Sequence, residues 1–488
     1  MEEIRVSVRN LVEFILRCGD IDNRRGTMAD KDAMQMGSRL HRKIQGKMGP
    51  DYHAEVPLKT ERNCGKFLLI VEGRADGIFT DQGRTVIDEI KGVFRDLERM
   101  EESDPIHLAQ AKCYAYIYAD QRNLEEIGVQ MTYANLDTEE IRRFHYFYKK
   151  TELDEWFAEL ISAYQKWAQM ELEWKHERKE SIGHTAFPYP YREGQKELAA
   201  AVYRTIWHGK KLFIQAPTGV GKTLSTVFPA VQAVGKNLGD KIFYLTAKTI
   251  TRTVAEEAFS LLKSKGLRYK VVTLTAKEKI CFCEEPDCNP EKCPYARGHF
   301  DRVNDAVFEL LSSYDDNTGN YNRDRIMAQA EKWQVCPFEM ALDVSLWADA
   351  IICDYNYVFD PQAKLKRFFA EGVKGDYLFL IDEAHNLVER GREMYSATLY
   401  KEDFLEVKRF LKPYSKKAVS ALERGNKYLL EWKRECGEYT LLSNIDLFAL
   451  NLLNVSHALE QLLEDRDSIM NRPTGDSEIE EAKKKTLD

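Results

Sequence analysis

Apolar and polar positions in the first 150 residues follow the pattern of a compact α/β unit. Two strand-like runs, KFLLIVEGRADGIF and RTVIDEIKG, flank the turn-like sequence TDQG, which predicts a hairpin. Between Leu153 and about Lys175, apolar residues recur at helical spacing. They predict an amphipathic helix that closes the unit through Phe157, Leu160, Ile161, Tyr164, Trp167 and Ala168.

A second α/β segment follows the Pro-rich sequence HTAFPYPYREG. KLFIQ has the composition of a buried strand, APTGVGKT follows as a loop of small residues, and LSTVFPAVQAV continues as a helix. A cysteine-rich stretch then interrupts the segment, and after residue 390 the sequence is helical, highly charged and ends in a tail typical of solvated chain. The predicted boundaries delimit residues 1–181, 182–280, 281–336, 337–390 and 391–488.

Composition narrows the class of protein. The 488 residues exceed what one hydrophobic core usually serves, and 44% hydrophobic with 31% charged residues is ordinary for a globular enzyme. No apolar run approaches a membrane span, and the N-terminus lacks the pattern of a signal peptide. We therefore expect a cytoplasmic protein without a membrane partner. A net charge of −8 argues against a uniformly basic nucleic-acid binder, although it permits a local basic groove.

The APTGVGKT loop has the order of a phosphate-binding loop between a strand and a helix. Gly219 and Gly221 allow backbone amides to face a phosphate at the helix N-terminus. Lys222 adds a positive charge there, and the hydroxyl of Thr223 is a ligand for Mg²⁺. The loop predicts ATP and Mg²⁺ as cofactors.

The sequence DYLFLIDEAHN supplies the second half of this site. Its apolar run predicts a strand that ends at Asp382 and Glu383. A carboxylate at a strand end can hold the Mg²⁺ that bridges two phosphates, and a neighbouring glutamate can orient the attacking water. We assign the first role to Asp382 and the second to Glu383.

Together, DEAH, APTGVGKT and the upstream FPYPYREGQ resemble superfamily-two helicases of the XPD/DinG branch. The resemblance implies a RecA-like parallel-sheet lobe, translocation 5′ to 3′ along DNA, and adenine recognition by Arg192 and Gln195. YLTAKTITRTVAEEA is similar to the segment that contacts the DNA backbone in that branch. This makes Thr246, Lys248 and Thr249 candidate phosphate contacts, with a helix cap as the alternative.

Five cysteines cluster within residues 281–336, between the two ATP motifs. Such thiolate sets bind either zinc or an iron–sulfur cluster, and the irregular spacing without paired CxxC favours iron–sulfur. KICF, CNPEKCPYARG and VCPFE resemble the cluster segment of the XPD/DinG branch, which implies a structural 4Fe–4S cluster. The implied ligands are Cys281, Cys288, Cys293 and Cys336; Cys283 is an alternative to Cys281, and zinc is an alternative to the cluster.

The first unit contains a D…ExK pattern. Asp76 is predicted to end one strand, and on the next strand Glu89 and Lys91 share one face while Ile90 takes the other. Two carboxylates there can hold Mg²⁺ or Mn²⁺, and the ammonium can position water against a phosphodiester. The arrangement is that of PD-(D/E)XK nucleases, with Asp88 as a possible confusion for Glu89.

Further residues extend this pattern. Gln110 and Tyr114 lie four apart on one helical face, and His41 lies on an earlier helix. With the carboxylates they resemble RecB-type nucleases, in which the histidine and the acidic pair bind metal while Gln and Tyr help to hold DNA. The alternative is a DNA-binding domain of the same fold without a working metal site.

The sequence as a whole predicts an α/β protein: a nuclease-like domain, then a motor lobe with an iron–sulfur insertion, and part of a helical arch domain in residues 391–488. The predicted function is an ATP-dependent DNA helicase with a metal-dependent nuclease, acting on single-stranded, flapped or forked DNA in repair or processing. No QxxGRxxR-like segment of a second motor lobe follows Glu383, so we expect this chain alone to bind ATP and DNA without unwinding. The rival functions are a non-catalytic DNA clamp and an inert fragment.

Overall fold

The computed structural model describes all residues except 25–29, 95–96, 137, 218, 248, 315–319, 371 and 465–488. Its strands belong to two sheets. The strands are β1 Glu2–Ser7, β2 His53–Asn63, β3 Phe67–Asp81, β4 Arg84–Val93, β5 Glu126–Asn135, β6 Ile141–Lys149, β7 Lys241–Thr246, β8 Val271–Thr273, β9 Asn320–Tyr321, β10 Ala350–Asp354 and β11 Tyr377–Ile381.

Helices surround both sheets and make up the C-terminal part. They are α1 Val8–Ile15, α2 Asp30–Gln45, α3 Pro105–Arg122, α4 Lys150–His184, α5 Gln195–Trp207, α6 Lys222–Gly235, α7 Thr249–Lys263, α8 Lys277–Ile280, α9 His299–Ser312, α10 Arg323–Trp333, α11 Pro337–Trp347, α12 Asn356–Phe359, α13 Lys366–Phe369, α14 Leu387–Met394, α15 Lys401–Leu411, α16 Lys416–Glu435 and α17 Asp446–Glu464.

The N-terminal sheet is mixed. Its order is β1-β3-β4-β5-β6, and β2 pairs with the other edge of β3. Strands β3 and β4 form the predicted hairpin, whose two-residue turn at Gln82 (φ 49°) and Gly83 (φ 81°) matches the strand twist. Between β4 and β5, which are parallel, the chain crosses over through α3. The predicted α/β character of the first unit is therefore confirmed.

All strands of the second sheet are parallel, in the order β11-β7-β10-β8-β9. This is the parallel-sheet lobe that the second segment predicts. The predicted strand at KLFIQ is wrong, because residues 211–215 have no regular structure and Phe213 is 90% exposed. A strand needs a hydrogen-bonded neighbour. Within the described chain β11 is the edge of the sheet and pairs only with β7, so residues 211–215 do not pair with it as a further strand.

Helix α4 connects the two sheets. It begins at Lys150, directly after β6, and its buried positions include the predicted Leu153, Phe157 and Leu160. Its C-terminal part reaches the second sheet, where Ile182 joins the same core as Tyr244 and Ile352. Both sheets lie in one compact unit that ends at Val388. The predicted boundary at residues 181 and 182 falls within α4, and that division stays a prediction.

Helices α15, α16 and α17 belong to a second compact unit, which comprises the chain from Glu389 onward and a short segment near residue 23. They bury a core of their own, consisting of Phe404, Phe410, Leu411, Ala418, Ala421, Leu422, Phe448, Val455 and Ala458. Among the helices that the structure describes, none has the length and apolar character needed to cross a membrane.

Candidate nucleotide, cysteine and carboxylate sites

The phosphate-binding loop lies between residue 215 and α6. Gly219 (φ 86°) and Gly221 (φ 73°) adopt the left-handed backbone that favours glycine. A Cβ at Gly221 would lie 2.6 Å from Nε2 of Gln195, so a side chain there would displace the end of the Gln195 side chain. Lys222 begins α6, and its Nζ donates to the carbonyl of Ala216 at 3.2 Å.

Arg192 and Gln195 support the back of this loop. The Arg192 guanidinium donates to the carbonyl of Gly219, and Gln195 Nε2 donates to the carbonyl of Val220 at 3.3 Å. The Gln195 side chain in turn accepts from the backbone N–H of Arg192 at 3.0 Å. The two residues that resemble adenine-recognition positions are thus in contact with the predicted phosphate loop.

The acidic pair follows β11. The Asp382 backbone N–H donates to the carbonyl of Leu245 at 3.0 Å, which continues the pairing of β11 with β7. Burial and the neighbouring Glu383 raise the pKa of the Asp382 carboxyl, whereas the Lys222 ammonium lowers it. Helix α6, which begins at Lys222, contacts β11, the strand that Asp382 follows. Glu383 has a left-handed backbone (φ 50°), a strained conformation that is enriched at functional sites.

Tyr355 is a part of this site that the sequence analysis missed. It follows β10, and its hydroxyl donates to the carbonyls of Asp382 and Glu383, at 3.1 Å in the second case. The signal for it was the polar run DYNY directly after a buried strand, at the sheet edge where strand ends meet.

The predicted DNA-contacting segment is described only in part. Thr246 ends β7 and is fully buried, with a hydroxyl that has no hydrogen-bond partner among the described residues. Lys248 lies outside the described residues, as does the side chain of Thr249. Their role stays a prediction.

The cysteine-rich stretch folds around one small cavity. It runs irregularly from α8 to α9 and returns at the N-terminus of α11, where Cys336 is the cap residue. Cys283 Sγ lies 3.9 Å from Cys293 Sγ, and the Cys283 N–H donates to Cys281 Sγ at 3.4 Å. The cavity is lined by all five cysteines of the stretch, Cys281, Cys283, Cys288, Cys293 and Cys336.

Cys288, Cys293 and Cys336 are buried, whereas Cys281 and Cys283 are partly exposed. Burial raises the pKa of Cys336 to about 11, and burial together with Cys293 raises that of Cys283 to about 12. All ten cysteines of the chain are free thiols. In the described part of the chain, no group of three or more His, Cys, Asp or Glu residues has the arrangement of a metal site. The sulfurs thus share a cavity without converging on one point.

The carboxylates of the first unit meet where β3 and β4 separate. Strand β3 continues beyond Asp76 to Asp81, so the prediction that Asp76 ends the strand is wrong; instead the β3–β4 pairing begins one residue later, at Gly77. Beyond the end of this backbone pairing, the Ile90 N–H of β4 donates to the side-chain Oδ2 of Asp76 at 2.7 Å. Asp76 Oδ1 lies 3.6 Å from Nδ1 of His41.

Glu89 and Lys91 share a face of β4, as predicted. Lys91 Nζ lies 2.9 Å from Glu89 Oε1 and donates to Gln110 Oε1, also at 2.9 Å. Gln110 Nε2 donates to the Tyr114 hydroxyl at 3.4 Å. The structure therefore connects Glu89, Lys91, Gln110 and Tyr114 in one polar chain.

Glu89 is buried with half of its carboxylate unpaired. Its side chain is 2% exposed, and Oε2 has no hydrogen-bond partner among the described residues. Burial raises the pKa of this carboxyl to about 8. The Lys91 ammonium opposes this increase, whereas the Asp76 carboxylate adds to it. A buried oxygen without a donor is costly unless a further positive group pairs with it. Glu89 Oε2 therefore offers one binding point for a cation, although Glu89, Asp76 and His41 are not arranged as a preformed metal site.

Asp88, the neighbouring carboxylate that could be mistaken for Glu89 as the metal ligand, has a different environment. Its carboxylate accepts from the Tyr52 hydroxyl at 2.9 Å, from Gln130 Nε2 at 3.0 Å and from the Thr132 hydroxyl at 2.6 Å. These donors occupy both oxygens. The sequence analysis missed Tyr52, which lies in a loop before β2 and gave no periodic signal.

Comparisons with known proteins agree with the motor lobe. The DEAD/DEAH box helicase family model matches residues 192–282, and the DEAD_2 model matches residues 248–404. The second α/β segment is therefore similar in sequence to helicases of these two families. The first match includes the phosphate loop and the second includes the DEAH sequence.

Individual relatives are helicases. Over 225 residues the chain is 21% identical to the XPD helicase subunit of the general transcription and DNA repair factor IIH of Dictyostelium discoideum, covering 41% of this chain and 29% of that protein. Over 205 residues it is 48% identical to a probable ATP-dependent helicase of Methanocaldococcus jannaschii, with the same coverage of 41% and 29%. A solved XPD helicase is 18% identical, with a TM-score of 0.36 over 61% of this chain and 48% of the other. The match thus spans less than a third of these two curated relatives.

Proposed function

We propose that this chain is part of an ATP-dependent DNA helicase of the XPD/DinG type, moving 5′ to 3′ and acting in DNA repair or processing. The observation that supports the proposal is that α6, which begins at Lys222, contacts β11, the strand that ends just before Asp382, although the two motifs lie 160 residues apart in the sequence. ATP with Mg²⁺ is the ligand that needs this pair: the ammonium neutralises phosphate and the carboxylate binds the metal ion.

The surrounding residues have matching tasks. Gly219 and Gly221 expose backbone amides to phosphate oxygens, and Thr223 is a further oxygen ligand for Mg²⁺. Glu383 would orient water for attack on the γ-phosphate. In this proposal Tyr355 is a positioning residue, since its hydroxyl fixes the backbone of Asp382 and Glu383.

Nucleotide binding can be tested by thermal unfolding. ATP with Mg²⁺ should raise the melting temperature of the wild-type protein and of Lys211→Ala, since Lys211 is exposed and outside the site. Lys222→Ala should abolish the increase, because ligand stabilisation is lost when the affinity is lost. An equal increase in Lys222→Ala and wild type would contradict the assignment.

We also propose that the first unit is a nuclease that uses Mg²⁺ or Mn²⁺. Asp76, Glu89 and His41 would hold the ion, which supplies Lewis-acid activation of the phosphodiester. The unpaired Glu89 Oε2 and the 3.6 Å approach of His41 to Asp76 support this set. Lys91, fixed by Glu89 and Gln110, would position the attacking water, and Gln110 and Tyr114 would contact the DNA strand.

The nuclease proposal predicts cleavage of labelled flap DNA in the presence of Mn²⁺. Glu89→Ala should lower the rate by at least about 100-fold, because both metal binding and the placement of Lys91 are lost. Asp120→Ala is the matched control, since Asp120 is an exposed acid on α3. Equal cleavage by wild type and Glu89→Ala would reject the site; tight DNA binding without any cleavage would favour the clamp.

For the cysteine cavity we propose a structural 4Fe–4S cluster. Four thiolates suffice for such a cluster, and five thiols around one cavity supply the donor set. Cys288, Cys293 and Cys336 would be ligands, with either Cys281 or Cys283 as the fourth. Iron and acid-labile sulfide should each approach about four per chain in anaerobically purified protein. Stoichiometric zinc without sulfide would refute the cluster.

A further inference from the structure

A short segment of the first unit lies against the cysteine-rich stretch. Residues 17–21, called the strap below, follow α1 and run beside residues 296–301. The Ile21 N–H donates to the Ala296 carbonyl and the Phe300 N–H donates to the Gly19 carbonyl, each at 3.0 Å. The first unit therefore pairs its backbone with the chain that leaves the cysteine cavity.

Two carboxylates reinforce this pairing reciprocally. Asp20 of the strap accepts from the N–H of Gly298 at 2.6 Å, and Asp301 accepts from the N–H of Gly19 at 2.8 Å. Gly298 is the N-cap residue of α9, so Asp20 also places negative charge at the start of a helix, where it is favourable. Each of the two segments thus supplies a carboxylate that accepts a hydrogen bond from a backbone N–H of the other.

Arg17 anchors the other end of the strap. Its Nε donates to Asn304 Oδ1 of α9 at 2.9 Å, and its Nη2 lies 2.8 Å from Asp343 of α11. Asp343 is buried and also pairs with Arg367. Helix α9 follows the cysteines in the sequence and α11 begins directly after Cys336. Arg17 therefore links the first unit to both helices that leave the cysteine cavity.

The strap also forms part of the cavity wall. Ile21 lines the cavity beside the five cysteines, and so does Ala296, which accepts the Ile21 N–H. Ile21 is the only lining residue, among those described, that precedes the motor lobe in the sequence. Removing the strap would open the thiols to solvent from this side.

We infer that the strap couples the occupancy of the cysteine cavity to the docking of the N-terminal domain. A group bound by the thiols holds the loops that pair with the strap, and the docked strap in turn shields that group from water and chelators. Such coupling is reciprocal by necessity. The inference rests on the proposed cluster for the identity of the bound group, whereas the shielding itself follows from the wall that Ile21 forms.

The experiment compares the full-length wild type with Asp20→Ala, Ile21→Ala and a control, Asp154→Ala. Asp154 forms an exposed ion pair with Lys150 on α4 and does not belong to the strap. Iron loss to a chelator is followed by visible absorbance. Asp20→Ala and Ile21→Ala should lose iron about 5- to 10-fold faster than wild type, because local opening of the wall becomes easier. Asp154→Ala should behave as wild type. Equal rates in all four proteins would overturn the inference.

Thiol labelling keeps the two proposals separable. In protein stripped of iron, or found to contain none, Ile21→Ala should raise the labelling rate of Cys283 and Cys293 by a similar factor, and unchanged rates would overturn the strap. Absence of iron and sulfide with faster labelling would reject the cluster alone. Reciprocally, Cys336→Ser should increase amide exchange in residues 17–21 and leave β5 unchanged; unchanged exchange in the strap would also overturn the coupling.

Discussion

At the scale of single residues, Asp349 is a buried carboxylate whose hydrogen bonds all lie outside the proposed sites. It is 3% exposed and accepts from Trp174 Nε1 at 2.9 Å, Arg178 Nη1 at 2.6 Å and the Lys270 N–H at 2.7 Å. Trp174 and Arg178 belong to α4, while Asp349 precedes β10. One carboxylate therefore fastens the connecting helix to the parallel sheet.

Asp349→Ala should lower the free energy of unfolding by about 3–5 kcal/mol, because it leaves a buried guanidinium without its partner. Urea unfolding followed by circular dichroism measures this. The control is Asp376→Ala, since that side chain is exposed, and it should change the free energy by no more than about 0.5 kcal/mol. A cost below about 1 kcal/mol for Asp349→Ala would show that this carboxylate contributes little to the attachment of α4 to the parallel sheet.

Lys263 gives a pH-dependent prediction. Burial lowers its pKa to about 7, against the raising effect of Asp349, and its Nζ donates to Asn320 at 2.5 Å. Between pH 7 and the pKa of the unfolded chain near 10.5, the unfolded state binds the extra proton. Stability should therefore rise with pH over this window, and below pH 7 the penalty of a buried charge is complete.

Lys263→Met should raise the free energy of unfolding by about 1–2 kcal/mol at pH 6 and by less at pH 9, because the charge is already lost at the higher pH. Urea titrations at both values of pH measure the difference. Lys265→Met, at an exposed neighbouring position, should show no pH-dependent gain. If the gain were equal at pH 6 and pH 9, the Lys263 amine would not titrate in this window.

Adjacent carboxylates show what a sequence can reveal about a site. Alternation along β4 correctly assigned Glu89 and Lys91 to one face, because the period of a strand is fixed by the backbone. Alternation could not reveal that Asp88 would be saturated by Tyr52, Gln130 and Thr132. Those donors come from other elements, and their approach is decided by tertiary packing.

At the scale of elements, Phe213 and Phe243 form an instructive pair. Both lie in apolar runs typical of strands, yet Phe213 is 90% exposed and Phe243 in β7 is fully buried. Phe243 contacts the rings of Phe368, Phe369 and Tyr377 at centroid distances of 5.2–5.3 Å. Phe243 is buried because β7 pairs with β10 and β11 and is covered by aromatic side chains, whereas residues 211–215 pair with no described strand.

Phe213→Ser should therefore change the free energy of unfolding by less than about 0.5 kcal/mol. Phe243→Ala should cost about 3–5 kcal/mol through the cavity that it leaves. Chemical denaturation of both variants decides. A cost of several kcal/mol for Phe213→Ser would mean that residues 211–215 are buried in solution, as the sequence alone predicts.

Local elements were predictable where local chemistry determines them. The β3–β4 hairpin follows from alternation and a turn that needs positive φ, and α4 follows from helical periodicity. The cysteine cavity combines residues 281–293 with Cys336, and the strap adds residues from the first unit. Such long-range combinations carry no periodic signal, so the resemblance to known helicases identified the cysteines and nothing in the sequence identified the strap.

At the scale of the whole molecule, helices that accompany the two sheets before Val388 meet at one aromatic cluster. Trp167 of α4 is 1% exposed, and its ring lies 4.9 Å from Phe14, 5.0 Å from Phe308 and 4.8 Å from Trp347. Phe14 belongs to the first unit, whereas Phe308 and Trp347 belong to α9 and α11. Together with Asp349 and the strap, this aromatic cluster makes separate unfolding of the two sheets unfavourable.

Trp167→Ala should consequently destabilise both sheets together. The lost aromatic packing costs about 3–5 kcal/mol, and amide exchange should increase in β5 and in β10 by similar factors. Hydrogen exchange measured by mass spectrometry resolves the two strands. Trp207→Ala removes the same side chain where it is 59% exposed and should leave both strands as protected as in wild type. Faster exchange in only one sheet would mean that the two sheets open independently, and a mechanical link between the proposed nuclease and ATPase activities would then need another route than α4.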